Sequence, residues 1–470
     1  MKNEFIILPN EQFLFDKVAQ CSRELGFAAY LVGGFVRDRL LGRNSKDIDI
    51  VCVGSGIIFA KKLATLLSPV PTVQFYENFG TAAFNFNGME IEFVGARKES
   101  YRSDSRKPLV ENGTLQDDLS RRDFTINALA VSLNADDYGA IIDNFGGIMH
   151  LQKKIIQTPL DPHVTFSDDP LRMMRAIRFA TQLGFEIEKD TLAAIATQPE
   201  RIKIISQERI TTELQKIMAA PVPSTGYKLI HKTNLLRLIF PELEAMVGRE
   251  EQHGQWHKDN FYHSIKVLDN VCPYTDDIWL RWAALLHDIG KPATKRFDAV
   301  QGWTFHGHEA LGARMIPRIF NRLKLPLDAK MKYVQKLVAM HARPVSLSKN
   351  EITDAALRRL MVEAGEELED LILLCGADTT TQYEERRRRY QENLTALKEK
   401  LELVEEKDRL RNWQPPVSGD DIMEMFNISP SKTVGVLKNG LREAILDGLV
   451  KDEREAALVY LKEEAIKLNI

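Results

Sequence analysis

Apolar and polar residues alternate along four short stretches of the first 158 residues: Val73–Phe75, Ala82–Phe86, Met89–Val94 and Ala128–Val131. Period-two alternation of this kind predicts strands with one wet face. Asn87-Gly88, between the second and third, is a hairpin-turn signal. Leu31–Val53 reads LVGGFVRDRLLGRNSKDIDIVCV. A glycine pair there opens a short amphipathic helix, and an Asp-x-Asp pair then interrupts a β-branched run, which predicts a helix followed by a strand. From about Pro170 the apolar spacing becomes helical and stays so to the end. The chain therefore predicts an α+β fold, a small mixed sheet with helices packed on it followed by an all-helical remainder. Lys98–Gly113 is polar and basic, and reads either as a mobile segment near a site or as a solvated linker.

Composition narrows this picture. At 470 residues the length predicts roughly three domains, and 44% hydrophobic with 27% charged residues is ordinary for a soluble globular chain. The net charge of −3 gives no global field for nucleic acid, so an RNA partner would need local basic patches. Cys21, Cys52, Cys272 and Cys375 are scattered without Cys-x-x-Cys spacing and read as reduced, mostly buried thiols. The apolar run Phe5–Leu8 lacks a cleavage pattern, and no run is long enough for a membrane span. A cytoplasmic protein without a membrane partner is expected.

The candidate chemistry falls into four clusters. Gly33 and Gly34 would let backbone N–H groups approach a phosphate at a helix start. Asp47 and Asp49, two apart on a predicted strand, leave the same face, as a pair of Mg²⁺ ions requires for in-line phosphoryl transfer. Glu92, with Glu90 on the same face, offers a third carboxylate. In Asp117–Ala130, Arg121 and Arg122 supply forked donors for phosphates and Asp123 an acceptor for a ribose hydroxyl; surface salt bridging is the plain alternative. In Ser167–Phe179, Pro170 fits a first helical position with Asp169 as N-cap. Asp169 and Arg172, one turn apart, also form an acceptor beside a donor. That pair suits the amino group and ring nitrogen of cytosine or adenine and opposes uracil and guanine. Finally, seven of the ten histidines lie between residues 250 and 378. His253, His257 and His306 fall among them; His263, His287-Asp288 and Asp378 are ligand types for a divalent transition metal, with His308 and His341 between.

GG-x-V-R-D followed by D-x-D, then RRDFT-x-NALA and the acidic pair before Leu171-Arg172, resemble the head of bacterial class II tRNA nucleotidyltransferases (CCA-adding enzymes) and of the related poly(A) polymerases. HSIKVLDN, ALLHDIGK, FHGHEA, AMHARP and CGADTT resemble the HD phosphohydrolase superfamily. The resemblance implies a nucleotidyltransferase head over 1–158, a helical neck over 159–249, an HD domain over 250–380 and a tRNA-binding helical tail over 381–470. It implies that Asp47 and Asp49 are catalytic and hold Mg²⁺, that Gly34, Arg37, Arg122, Arg175 and Arg178 hold triphosphate and sugar, and that Asp169 and Arg172 choose the base. Arg175 and Arg178 otherwise read as an exposed basic helix face. Glu208–Leu214 would support the base-selecting helix, and Lys291 would offer charge to a leaving phosphate. Partners would be the tRNA 3′ end, CTP and ATP. In the tail, Pro430 and Gly435 bound a turn before a helix with Lys432, Lys438 and Arg442, either a phosphate track or a packing hairpin. Partial CC- or A-addition, poly(A) synthesis, and a chain acting mainly as an HD phosphohydrolase are the rival functions; the oligomeric state is left open.

Overall fold

The computed structural model describes residues 5–45, 47–77, 80–102, 105–252, 255–256, 259–344, 353–380, 383–412, 415–446, 449–451 and 453–468. His253 and His257 lie outside the described residues. The chain forms two compact units, residues 1–344 with 366–390 and residues 345–365 with 391–470.

The first unit opens with helix α1 (Pro9–Leu25), then strand β1 (Ala29–Val32), helix α2 (Gly34–Leu40), β2 (Asp47–Cys52), α3 (Gly56–Ala64), β3 (Gln74–Tyr76), β4 (Thr81–Phe86) and β5 (Met89–Gly95). After β6 (Arg97–Arg102) and β7 (Ser105–Asn112) come β8 (Ala130–Ser132) and β9 (Ile141–Ile142). Seven of these strands form one sheet in the order β3-β4-β5-β2-β1-β8-β9. Only β2 and β5 among these neighbours run parallel. The predicted strands are present within one or two residues. Lys98–Gly113 is a correction: it folds mostly as the separate antiparallel ribbon β6–β7, which its polar sequence, without alternation, did not announce.

The sheet's two faces differ, and the difference creates the site. Ile48, Ile50, Ile91 and Phe93 point to one face, where Phe93 stacks on Phe59 of α3 and meets the Phe84 ring at a tilt. The other face holds Asp47 and Asp49. Half of it is covered: Val32, Val51, Ala96 and Ala130 pack with Leu119 of helix Leu115–Ser120. The uncovered half is where the carboxylates meet solvent.

Helices follow. The stretch expected to form a neck contains Pro162–Asp168, Leu171–Leu183, Lys189–Thr197 and Gln207–Met218. The buried Arg281 guanidinium, from helix Ile278–Leu286, donates to the carbonyls of Met218 and Ala220, satisfying the neck helix's last carbonyls from across the core. All four cysteines are buried thiols. The second unit packs helices Gly419–Phe426, Lys432–Leu446 and Arg454–Lys467 around Val417, Ile422, Leu441 and Leu461. Gly435 lies inside the second of these helices, not in a turn before it. Among the described residues no helix is long and apolar enough to cross a membrane.

Candidate active site

Antiparallel pairing of β1 with β2 sets Val32 opposite Asp49, so the chain leaves the sheet at Gly33 directly beside that carboxylate. Gly33 has φ +73°, and a Cβ there would stand 3.0 Å from Arg122 Nη1 and 3.3 Å from Asp49 Oδ2. Glycine is required twice over, for the backbone angle and for the gap. Its N–H is directed at the Leu129 carbonyl at 3.4 Å rather than into the cleft.

Asp49 sits beside Glu92, and Asp47 beside Glu90, on the parallel neighbour β5. Burial pushes the Asp49 carboxyl up to about 6; Arg122 opposes the rise, and Glu92 and Asp47 add to it. Carboxylates crowded this way fit a divalent cation.

Arg122 is aimed by Asp118, a fully buried carboxylate one turn earlier that accepts from Arg122 Nη2 at 3.0 Å and also pairs with Arg121. Asp123 is buried. Against the upward push of burial, the Arg175 guanidinium holds its carboxyl below the ordinary value, with Nη2 at 2.5 Å and Nε at 2.7 Å. Asn127 joins the two halves: its Nδ2 donates to Asp123 at 2.9 Å and its Oδ1 accepts from Arg37 Nη1 at 2.8 Å. The guanidiniums of Arg37, Arg175 and Arg178 lie 5.0, 5.5 and 3.9 Å from the Phe179 ring centre.

The base-selecting candidates are on the neck helix. That helix begins at Leu171, with Pro170 just before it, and Asp169 Oδ1 accepts from Leu171 N–H at 3.2 Å. The cap position is therefore Pro170, one residue later than expected, and the second oxygen of Asp169, Oδ2, pairs with Arg209 at 3.8 Å. Arg172 Nη2 donates to the Arg121 carbonyl at 2.6 Å. Arg178 is buried on Glu213 at 2.5 Å, so an exposed basic face is not what this helix presents there. One cleft of about 440 Å³ gathers Gly33, Gly34, Arg37, Asp49, Arg122, Asp123, Asp169, Arg172, Arg175 and Arg178. Asp47 is exposed at the strand's start and is not among its walls. Asn127, Arg209 and Phe179 also line the cleft, and Asp118 supports it from beneath. All four fall within the stretches singled out in the sequence, yet no role was expected of any of them there.

A second cluster is built from helix ends. His287 and His341 follow helices Ile278–Leu286 and Ala329–Met340, and each Nδ1 faces its own helix's carbonyl, of Ala284 or Val338, at 2.8 Å. A carbonyl only accepts, so each Nδ1 carries a proton and each Nε2 is turned toward the centre. His308 does the same through the Phe305 carbonyl. His263 Nε2 is 2.8 Å from Asp378, and Asp288 lies 3.2–3.7 Å from Nε2 of His287, His308 and His341. Gly290 permits this convergence, since a Cβ there would be 2.2 Å from the His308 carbonyl. The buried His287 Nε2 has no hydrogen-bond partner. His263, His287 and Asp378, and likewise His287, Asp288 and His341, fit the donor set of a metal ion. Lys291 Nζ is spent on Asp288 at 2.6 Å.

Residues 29–157 match the Poly A polymerase head domain, 184–247 the probable RNA and SrmB-binding site of polymerase A, and 260–382 the HD domain. The A-adding tRNA nucleotidyltransferase of Deinococcus radiodurans is 32% identical over 91% of this chain and 94% of its own length. The multifunctional CCA protein of Pseudomonas aeruginosa is 32% identical over 64% of this chain and 71% of its own length. A solved tRNA nucleotidyltransferase, complexed with a primer tRNA and an incoming ATP analog, is 26% identical with a TM-score of 0.58, covering 81% of this chain and 98% of that one. Divalent metals are a general need of both modules. The chain belongs to the family of bacterial tRNA nucleotidyltransferases and carries an HD domain.

Proposed function

We propose that this chain adds C, C and A to the 3′ end of tRNA from CTP and ATP, without a nucleic-acid template. The observation that carries the reading is the single cleft that joins Asp49, the arginine wall and the Asp169–Arg172 pair. Asp47 and Asp49 hold Mg²⁺, which when bound lowers the barrier to attack and neutralises charge on the departing pyrophosphate. Arg37, Arg122, Arg175 and Arg178 bind the triphosphate and sugar, and Asp123 fixes Arg175. Asp169 accepts from the amino group of cytosine or adenine while Arg172 donates to the ring nitrogen. A carbonyl in the amino position leaves Asp169 facing an acceptor, a mismatch of about 1–3 kcal/mol. The acceptor's 3′ oxygen bonds to the α-phosphorus, its proton passes to the neighbouring carboxylates, and the bond to the bridging oxygen breaks.

The HD cluster, with His263, His287, Asp288 and Asp378 around a divalent transition metal, hydrolyses phosphoesters of RNA ends or nucleotides. Action in the cytoplasm follows from the substrate. A-addition alone is the second reading, favoured by the D. radiodurans relative's name and its alignment across most of both chains. The test is to incubate the pure protein with tRNA ending before CCA, or after CC, with CTP and ATP, and to sequence the products. A full CCA end on the shorter tRNA is expected. Extension of the CC-ending tRNA only establishes the second reading, and no extension of either overturns both.

A further inference from the structure

The face that carries Asp47 and Asp49 continues across three more strands, β5, β4 and β3. Register sets Asp49 beside Glu92 on β5 and Glu92 beside Ala83 on β4. The next row sets Val94 beside Thr81, and Thr81 beside Tyr76 on β3. Glu92, Ala83, Val94, Thr81 and Tyr76, with Glu90 and Arg97, line a cleft of about 390 Å³. Asp49 is a wall of the arginine cleft and Glu92 a wall of this one. Neighbouring strands are about 5 Å apart, so the two clefts flank a single carboxylate row.

In-line displacement requires attacking oxygen and leaving group on opposite sides of phosphorus. With the triphosphate against the arginines, the attacking hydroxyl must arrive from the Glu92 side. We propose that this second cleft seats the 3′-terminal nucleoside of the RNA acceptor, its base stacked on the Tyr76 ring and its ribose facing Glu90 and Glu92. The assignment rests on the nucleotidyl-transfer reading above and deepens it.

Three features suit that occupant. Tyr76 is 46% exposed, and its hydroxyl donates to Gln74 Oε1 at 3.1 Å, which fixes the ring while leaving it accessible. Ala83 and Thr81 keep the floor low enough for a flat ring. Two carboxylates against one guanidinium make the walls unfavourable for a polyphosphate yet good acceptors for ribose hydroxyls. Stacking tolerates any base, which an enzyme needs if the end it extends changes with every addition.

The test uses the full chain and compares wild type, Tyr76→Ala and Tyr76→Phe. Tyr76→Ala should raise KM for truncated tRNA on the order of tenfold and leave KM for CTP and ATP unchanged, and Tyr76→Phe should restore the acceptor KM. An acceptor ending in 2-aminopurine should be quenched on binding to wild type and to Tyr76→Phe, and not to Tyr76→Ala. Ala83→Leu, which fills the cleft, should weaken acceptor binding and spare nucleotide binding, and it serves if Tyr76→Ala does not fold. An unmoved acceptor KM, an unquenched probe or a raised nucleotide KM, in a protein whose wild type extends tRNA, overturns the acceptor seat alone. A wild type that extends nothing overturns the reading beneath it.

Discussion

Asp49 is held where its own charge is unwelcome. Burial lifts its carboxyl to about 6, against an unfolded value near 3.9. A carboxyl raised by folding favours the folded state when protonated, so its contribution is present below about pH 4 and is lost as pH rises through about 6. Two units correspond to on the order of 2–3 kcal/mol. Asp49→Asn should therefore raise the stability of the metal-free protein by roughly that much at pH 7, read from urea midpoints, while abolishing nucleotide addition. A lower midpoint would show that the carboxylate is not strained. Asp123 behaves oppositely: Arg175 depresses it in spite of burial, so its contribution is present above about pH 4 and lost as pH falls further. Gly33→Ala forces a Cβ between Asp49 and Arg122 at a positive φ. It should reduce addition at least a hundredfold (about 3 kcal/mol in the barrier) in a standard tRNA-extension assay; near-normal turnover would mean the gap is not needed. The Asp-x-Asp pair and the glycine were legible because their geometry is local. Asn127 was not, because its partner Arg37 is 90 positions away and no spacing rule connects them.

At the scale of elements, periodicity located the strands because each has one buried face, and it missed the β6–β7 ribbon, whose sequence does not alternate. The family resemblance, rather than periodicity, marked Glu208–Leu214 as a supporting helix; helix Gln207–Met218 covers it and holds Leu171–Leu183 through the buried Arg178–Glu213 pair. Two roles for Arg178 make different predictions. Glu213→Ala leaves a buried guanidinium unpaired and should destabilise by about 3–5 kcal/mol, seen in the denaturant midpoint. The double variant Arg178→Met/Glu213→Leu removes both charges and should recover most of that loss. If Arg178 binds triphosphate as proposed, KM for both nucleotides stays raised in the double variant although stability has returned. Recovery of both quantities together would confine Arg178 to packing.

The whole molecule places two chemistries on one chain, and each is built from a different kind of scaffold: carboxylates on a strand for the head, histidines at helix ends for the HD cluster. The sequence gives the second set in order, yet not the reason that the ends converge, which lies in the contact allowed by Gly290. Without a metal, burial alone would keep His287 neutral, but Asp288 and Asp378 overcome it and hold the ring protonated. His341, which burial pushes down to about 4, is already neutral. A divalent ion entering this cluster must displace the His287 proton, because a ligating nitrogen cannot also carry one. Titration of metal into the protein at pH 7, repeated in buffers of different ionisation enthalpy, should show about one proton released per ion. His287→Ala should remove both the proton release and phosphohydrolase activity while tRNA extension continues; Asp47→Ala should leave the release intact and stop extension. Loss of extension in His287→Ala, with the fold preserved, would mean that the two centres are coupled rather than separate.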